Sequence, residues 1–201
     1  MNLRPLTAAA TIVIFGSIVL AQVAYFPPNS LEESPKSSQF KEQWYSKQLS
    51  GLHETSLWEA SRRTEQVQVY RFLYLRSFHN PIVVRLDVEM NGKGLLTTKI
   101  GSGQGGNEPG HLITDKSRKM SVEETSWFVD RIDELGFWQL PTYEKSDTIG
   151  VDGAQWILEG VKGGKYLVVD RWSPDKGPVK GIGTLMMFDL AKIKLLYQDV
   201  Y

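Results

Sequence analysis

Residues 67–90, "VQVYRFLYLRSFHNPIVVRLDVEM", decide the fold, because here the hydrophobic period becomes two. Residues 67–78 are apolar on both faces, which reads as a central strand. After Asn80-Pro81 the alternation is clean. Ile82, Val84, Leu86, Val88 and Met90 face inward, while Arg85, Asp87 and Glu89 face outward. Asn91-Gly92 is a hairpin turn signal. A three-residue loop, Asn91 to Lys93, matches the faces and opposes Val88 with Leu96, Leu86 with Thr98 and Val84 with Ile100. A further short strand is expected over His111 to Lys116.

Downstream, Ser121 and Glu124 form a capping box at a helix start. Phe128, Ile132 and Leu135 recur at helical spacing, and Gly136 sits where a left-handed C-cap belongs. "AQWILEGV" and "KYLVVDRWS" flank Gly163-Gly164 as a second hairpin, and Leu185, Leu190, Ile193 and Leu196 mark a last helix. Upstream, "FKEQWYSKQLSGL" places Phe40, Trp44 and Leu49 near one helical face, with Gly51 as its stop. Ser56 and Glu59 suggest a second, short helix. This order has hairpins rather than βαβ crossovers. It predicts an α+β domain, a mostly antiparallel sheet of five to six strands with helices packed on one face.

The chain has 201 residues, of which 41% are hydrophobic and 23% charged, so one domain with an appended segment is expected. The appended segment is at the amino terminus. Residues 6–26, "LTAAATIVIFGSIVLAQVAYF", carry no charge, and a helix of that length spans roughly 30 Å, one hydrocarbon core. Arg4 on the short flank favours a cytoplasmic amino terminus, with Tyr25 and Phe26 at the far interface. Val19-Leu20-Ala21 also meets the small-residue rule for signal cleavage. Residues 1–26 are therefore a membrane anchor or a signal peptide, 27–39 a flexible spacer, and 40–201 the exported domain. The expected location is the cell membrane with the domain outside, or a secreted or periplasmic one after cleavage near Ala21.

Lys+Arg and Asp+Glu both total 23, so no charge excess draws the chain to nucleic acid. The absence of Cys excludes disulfides and thiolate metal sites. His53, His79 and His111 are isolated from one another, so no metal is expected. "KIGSGQGGNEPGH", residues 99–111, holds a literal G-x-G-x-x-G at Gly101, Gly103 and Gly106. A dinucleotide site needs a helix to start there, and Asn107-Glu108-Pro109-Gly110 follows instead. The run reads as a flexible strand connection or a mobile binding loop. No nucleotide and no cofactor are expected.

The second hairpin carries the best constellation of chemical groups. An even loop at Gly163-Gly164 opposes Val161 with Tyr166, Glu159 with Val168, Ile157 with Asp170 and Gln155 with Trp172. Glu159 and Asp170 then lie diagonally on one face, flanked by Tyr166 and Trp172. Two carboxylates beside aromatics suit a sugar-binding surface or an inverting glycoside hydrolase. Alternatively Arg71, Arg76 and Arg85 pair with them as a salt-bridged sheet face. On the opposite face Arg171 is expected to lie on Trp156 as a cation–π pair.

"YRFLYLRSFHNPIVVRL", "GFWQLP", "DGAQWILEG" and "YLVVDRWSP" resemble blocks of an uncharacterised family of small exported or membrane-anchored bacterial proteins. The resemblance covers roughly residues 56–196. It implies a bacterial envelope protein and brings no activity or catalytic residue with it. The expectation is an envelope accessory or binding domain whose partner is the membrane, an envelope protein or a glycan. The alternative is an envelope hydrolase acting on a glycan through the carboxylate pair.

Overall fold

The computed structural model describes residues 23–63, 66–145, 152–196 and 199–201. Six strands form one antiparallel sheet: β1 (Gln68–Arg76), β2 (Ile82–Val88), β3 (Gly94–Gly101), β4 (Leu112–Met120), β5 (Ala154–Lys162) and β6 (Lys165–Trp172). Their order across the sheet is β4-β3-β2-β1-β5-β6. The α+β expectation therefore holds, and the strand that is apolar on both faces is interior.

Helices cover both faces rather than one. On one side α3 (Val122–Glu134) and α4 (Pro178–Thr184) bring Phe128, Ile132, Val179 and Ile182 onto Tyr70, Phe72 and other sheet residues. On the other, α1 (Pro35–Gly51) and the residues beside it bring Tyr45, Leu49 and Leu52 onto Leu73, Leu75, Val83, Ile157 and Val168. The short α2 (Leu57–Arg63) adds Leu57 against Val69 and Val161. A strand apolar on both faces requires a covering layer on each, since either face left bare would expose its apolar side chains to water.

The second hairpin has the expected register throughout, from Lys162 opposite Lys165 to Gln155 opposite Trp172. Gly163 and Gly164 both take positive φ, as a two-residue turn requires. The first hairpin is shifted by two residues from its expected register: Leu86 faces Leu96, Val84 faces Thr98 and Ile82 faces Ile100. Its loop is Met90–Gly92. Glu89 N–H donates to Lys93 O at 2.8 Å, and Gly92, at φ 81°, donates to Glu89 O at 2.9 Å. A two-residue shift leaves every side chain on its face, so the alternation pattern alone does not choose between the registers. Met90, expected inward, is 86% exposed at the loop tip.

The capping box at α3 is complete, with Ser121 Oγ accepting from Glu124 N–H and Glu124 Oε2 accepting from Ser121 N–H. Ser121→Ala should cost about 1 kcal/mol in chemical denaturation, the usual loss for a cap. The last helix begins earlier than its apolar spacing suggested. It starts at Pro178 and runs into a π-helical turn, Leu185–Leu190, leaving Ile193 and Leu196 beyond it.

The anchor or signal reading of residues 1–26 lies outside the described residues up to residue 22. Among the described residues no helix is long and apolar enough to cross a membrane. Tyr25 and Phe26, expected at a membrane interface, instead pack into the domain. Phe26 is 3% exposed with its ring 6.1 Å from that of Tyr45, and the Tyr25 hydroxyl donates to Glu54 O at 2.8 Å. The spacer expected over 27–39 is also packed. Leu31 is buried and its N–H donates to Ser38 Oγ, while Ser34 caps α1 with Pro35 in its first turn. A single apolar residue among polar neighbours gave no period to read.

The glycine run joins β3 to β4 and is held tightly, which corrects the expected flexible connection. A Cβ on Gly103 would lie 1.9 Å from Glu108 O, and one on Gly105 would lie 2.7 Å from Arg76 O. Gly105 N–H donates to His79 O, and its carbonyl accepts from Trp44 Nε1 at 2.7 Å and Gln48 Nε2 at 3.0 Å. Glycine serves here for close backbone approach.

Candidate functional site

The hairpin register brings Glu159, Asp170, Tyr166 and Trp172 to one face of the sheet, as expected, but they divide into two separate groups. Glu159 is buried against Arg71, whose Nε and Nη2 lie 2.8 and 2.6 Å from Oε2. Tyr166 donates its hydroxyl to Oε1 at 2.8 Å. Both oxygens are thus occupied. Burial pushes the Glu159 carboxyl up further than Arg71 and Tyr166 pull it down. The Tyr166 phenol is raised well above its ordinary value, by burial first and the adjacent carboxylate second.

Arg71 also reaches an acid that no sequence pattern singled out. His53, at φ 53°, follows α1, and Glu54 comes next. The Glu54 carboxylate lies 3.2 Å from Arg71, 2.7 Å from Arg85 and 2.9 Å from Lys99. Arg85 continues to Asp87 at 2.9 Å. Burial alone would raise the Glu54 carboxyl, but Arg71, Arg85 and Lys99 outweigh it and hold it below the usual carboxylate range. Among the described residues three cations meet three carboxylates, so this cluster is balanced in charge. Of the three arginines expected to pair with the acids, only Arg71 does so. Arg85 serves Glu54 and Asp87, and Arg76 meets neither acid.

Asp170 belongs to the second group. Lys41 Nζ lies 2.8 Å from its Oδ2, and Tyr45 donates its hydroxyl to the same oxygen at 3.0 Å. Lys41 also meets Glu32 at 2.5 Å. Oδ1 is buried with no hydrogen-bond partner. Burial raises the Asp170 carboxyl against the pull of Lys41 and Tyr45. Burial lowers the Lys41 ammonium, but Asp170 and Glu32 outweigh that and leave it raised.

Asp170 and Trp172 line an open pocket of about 470 Å³, together with Lys41, Tyr143, Glu144 and Arg171. That volume falls within the roughly 300–1,000 Å³ of small-molecule sites. Glu159 and Tyr166 do not line it. A hydrolase using Glu159 as acid or base would have to break its bonds to Arg71 and Tyr166.

Arg171 does not lie on Trp156. It donates to Pro141 O and Thr142 O and pairs with Glu144 at 2.9 Å, bracing the pocket wall. Lys180 takes the position over Trp156, with Nζ 4.4 Å from the ring centroid. Among the described residues no group of three His, Asp or Glu side chains is placed to hold a metal ion. No protein-family model matches the chain, and no match was found among curated proteins.

Proposed function

We propose that this chain is a binding domain of the bacterial cell envelope, held at the membrane by its uncharged amino-terminal segment or released after cleavage near Ala21. Its amino terminus lies in the cytoplasm in the anchored form, and the domain works outside. The ligand is a polar, hydroxyl-rich molecule of the glycan class, taken up beside Trp172. One observation carries this reading: the open pocket joins an aromatic face to side chains of both charges and to a buried carboxylate with one unpartnered oxygen. An aromatic ring offers its face to the apolar side of a sugar, while cations of the rim donate to hydroxyls and its carboxylates accept from them. Envelope placement is supported by residues 6–26 and by the resemblance of residues 56–196 to exported bacterial proteins.

Two measurements test the proposal. Titration of the full chain with N-acetylglucosamine oligosaccharides in a calorimeter should show saturable binding. Trp172→Ala should weaken it at least tenfold, a loss of about 1.4 kcal/mol. No heat of binding up to millimolar sugar would remove the ligand assignment. Separately, residues 1–26 fused to a reporter active only outside the cytoplasm should switch it on, and a silent reporter would end the envelope placement.

A further inference from the structure

Three buried cations stand among the described residues: Arg71, Lys99 and Arg76. The first two meet Glu54 or Glu159. Arg76 is 4% exposed and makes no ion pair with any described carboxylate. Its Nη1 donates to the main-chain oxygen of Asp199 at 3.3 Å, its guanidinium carbon lies 5.5 Å from the Tyr74 ring centroid, and its Nε has no partner. Burial pulls the Arg76 guanidinium below its ordinary value, outweighing the opposite pull of Tyr74, Tyr201 and Asp199. A buried cation is costly unless an anion accompanies it.

Arg76 lines a groove of about 560 Å³ between the β3–β4 end of the sheet and residues 190–195. The floor and walls are apolar: Ile82, Leu96, Ile100, Ile113, Leu190 and Ile193. Every charged side chain lining it is a cation, namely Arg76, Lys116, Arg118, Lys192 and Lys194. Among the described residues only Arg118 of these pairs with an acid, Glu124 at 3.2 Å. The segment that closes the groove departs from regular backbone at two places. It follows the π-helical turn Leu185–Leu190, and Lys192 has φ 54°, which an L-residue adopts at a cost. Such departures cluster at binding sites.

We infer that this groove is a second binding site, separate from the Trp172 pocket, for an anionic amphiphile: one apolar chain ending in an acidic head, the head on Arg76 and the chain along Ile100, Ile113 and Ile193. Charge decides between this occupant and the chain's own apolar segment. Residues 1–31 contain no acid, and their only charges are Arg4 and the α-amine, which the cationic rim repels. An acidic head supplies the direct ion pair that Arg76 lacks among the described residues, and an apolar chain covers the exposed Ile113 and the half-buried Ile100 and Ile193.

The test uses the full chain in phosphatidylcholine nanodiscs, with dodecanoate added and amide shifts of residues 112–118 and 190–195 as the readout. Saturable shifts are expected, at least tenfold weaker with dodecanol and absent with dodecyltrimethylammonium. Arg76→Met should weaken dodecanoate at least tenfold and leave dodecanol unchanged. Equal response to dodecanoate and dodecanol in the wild type would overturn the assignment even if Arg76→Met failed to fold. Acetate or phosphate acting as strongly as dodecanoate would also overturn it, as an anion site without a chain. So would broadening of residues 190–195 by a spin label at position 12, which would seat the protein's own amino-terminal segment in the groove.

Discussion

Arg71→Met is expected to lower the unfolding free energy by about 3–5 kcal/mol, because it leaves Glu159 buried without a cation. For a chain of this size that loss moves Tm down by roughly 6–20 °C. Glu54 keeps Arg85 and Lys99, so the damage concentrates on Glu159. The double variant Arg71→Met/Glu159→Leu should recover most of the loss, since it removes the carboxylate along with its partner. The pH dependence has a definite sign. Without Arg71, the Glu159 carboxyl rises further above its unfolded value of about 4.3, so its contribution is present below that value and lost as pH rises. The Tm deficit of Arg71→Met should therefore be largest near neutral pH and narrow below about pH 4. Glu54 works in the other direction in the wild type. Its carboxyl is held low, so its contribution is present above the unfolded value and disappears as pH falls through the folded one. A neutral-pH deficit under about 1 kcal/mol would mean that the cluster behaves as an exposed one.

Gly105→Ala should destabilise by about 1–3 kcal/mol, the range for forcing a methyl into packed structure. The added Cβ would sit 2.7 Å from Arg76 O and from Leu75 Cα, both main-chain atoms of β1 that cannot swing aside. The loop would have to retreat, stretching the bonds from Trp44 and Gln48 to Gly105 O. Hydrogen exchange at Gly105, whose N–H is held by His79 O, should quicken in the variant by more than the global loss accounts for. A variant as stable as the wild type would show that the connection is not clamped.

The sheet was legible because alternation is a local signal. The second hairpin was legible in register as well, since Gly163-Gly164 favours a two-residue turn, whereas Asn91-Gly92 left two frames with the same faces. The second helical layer was harder to see. Phe40 and Trp44 drew the apolar face of α1 towards themselves, but Phe40 is 64% exposed, and the buried apolar positions are Leu49, which that face included, and Tyr45, which it left out. The four site residues were recognisable as a face, yet their division was not. The Glu159–Arg71 pair joins positions 88 residues apart, and Lys41 reaches Asp170 across 129. The groove was less visible still, because its parts come from β1, β2, β3, β4 and residues 190–195, and the cations that line it are scattered along the chain.

Tyr25 is already part of the folded body, with its hydroxyl on Glu54 O and its neighbour Phe26 inside the core. A thirteen-residue leash over 27–39 would have allowed excursions of about 45 Å from a bilayer. With that leash folded away, the anchored form proposed above would keep the domain close to the lipid. In that form whatever the domain captures would have to come to the membrane surface, and a lipid-derived ligand would travel almost no distance.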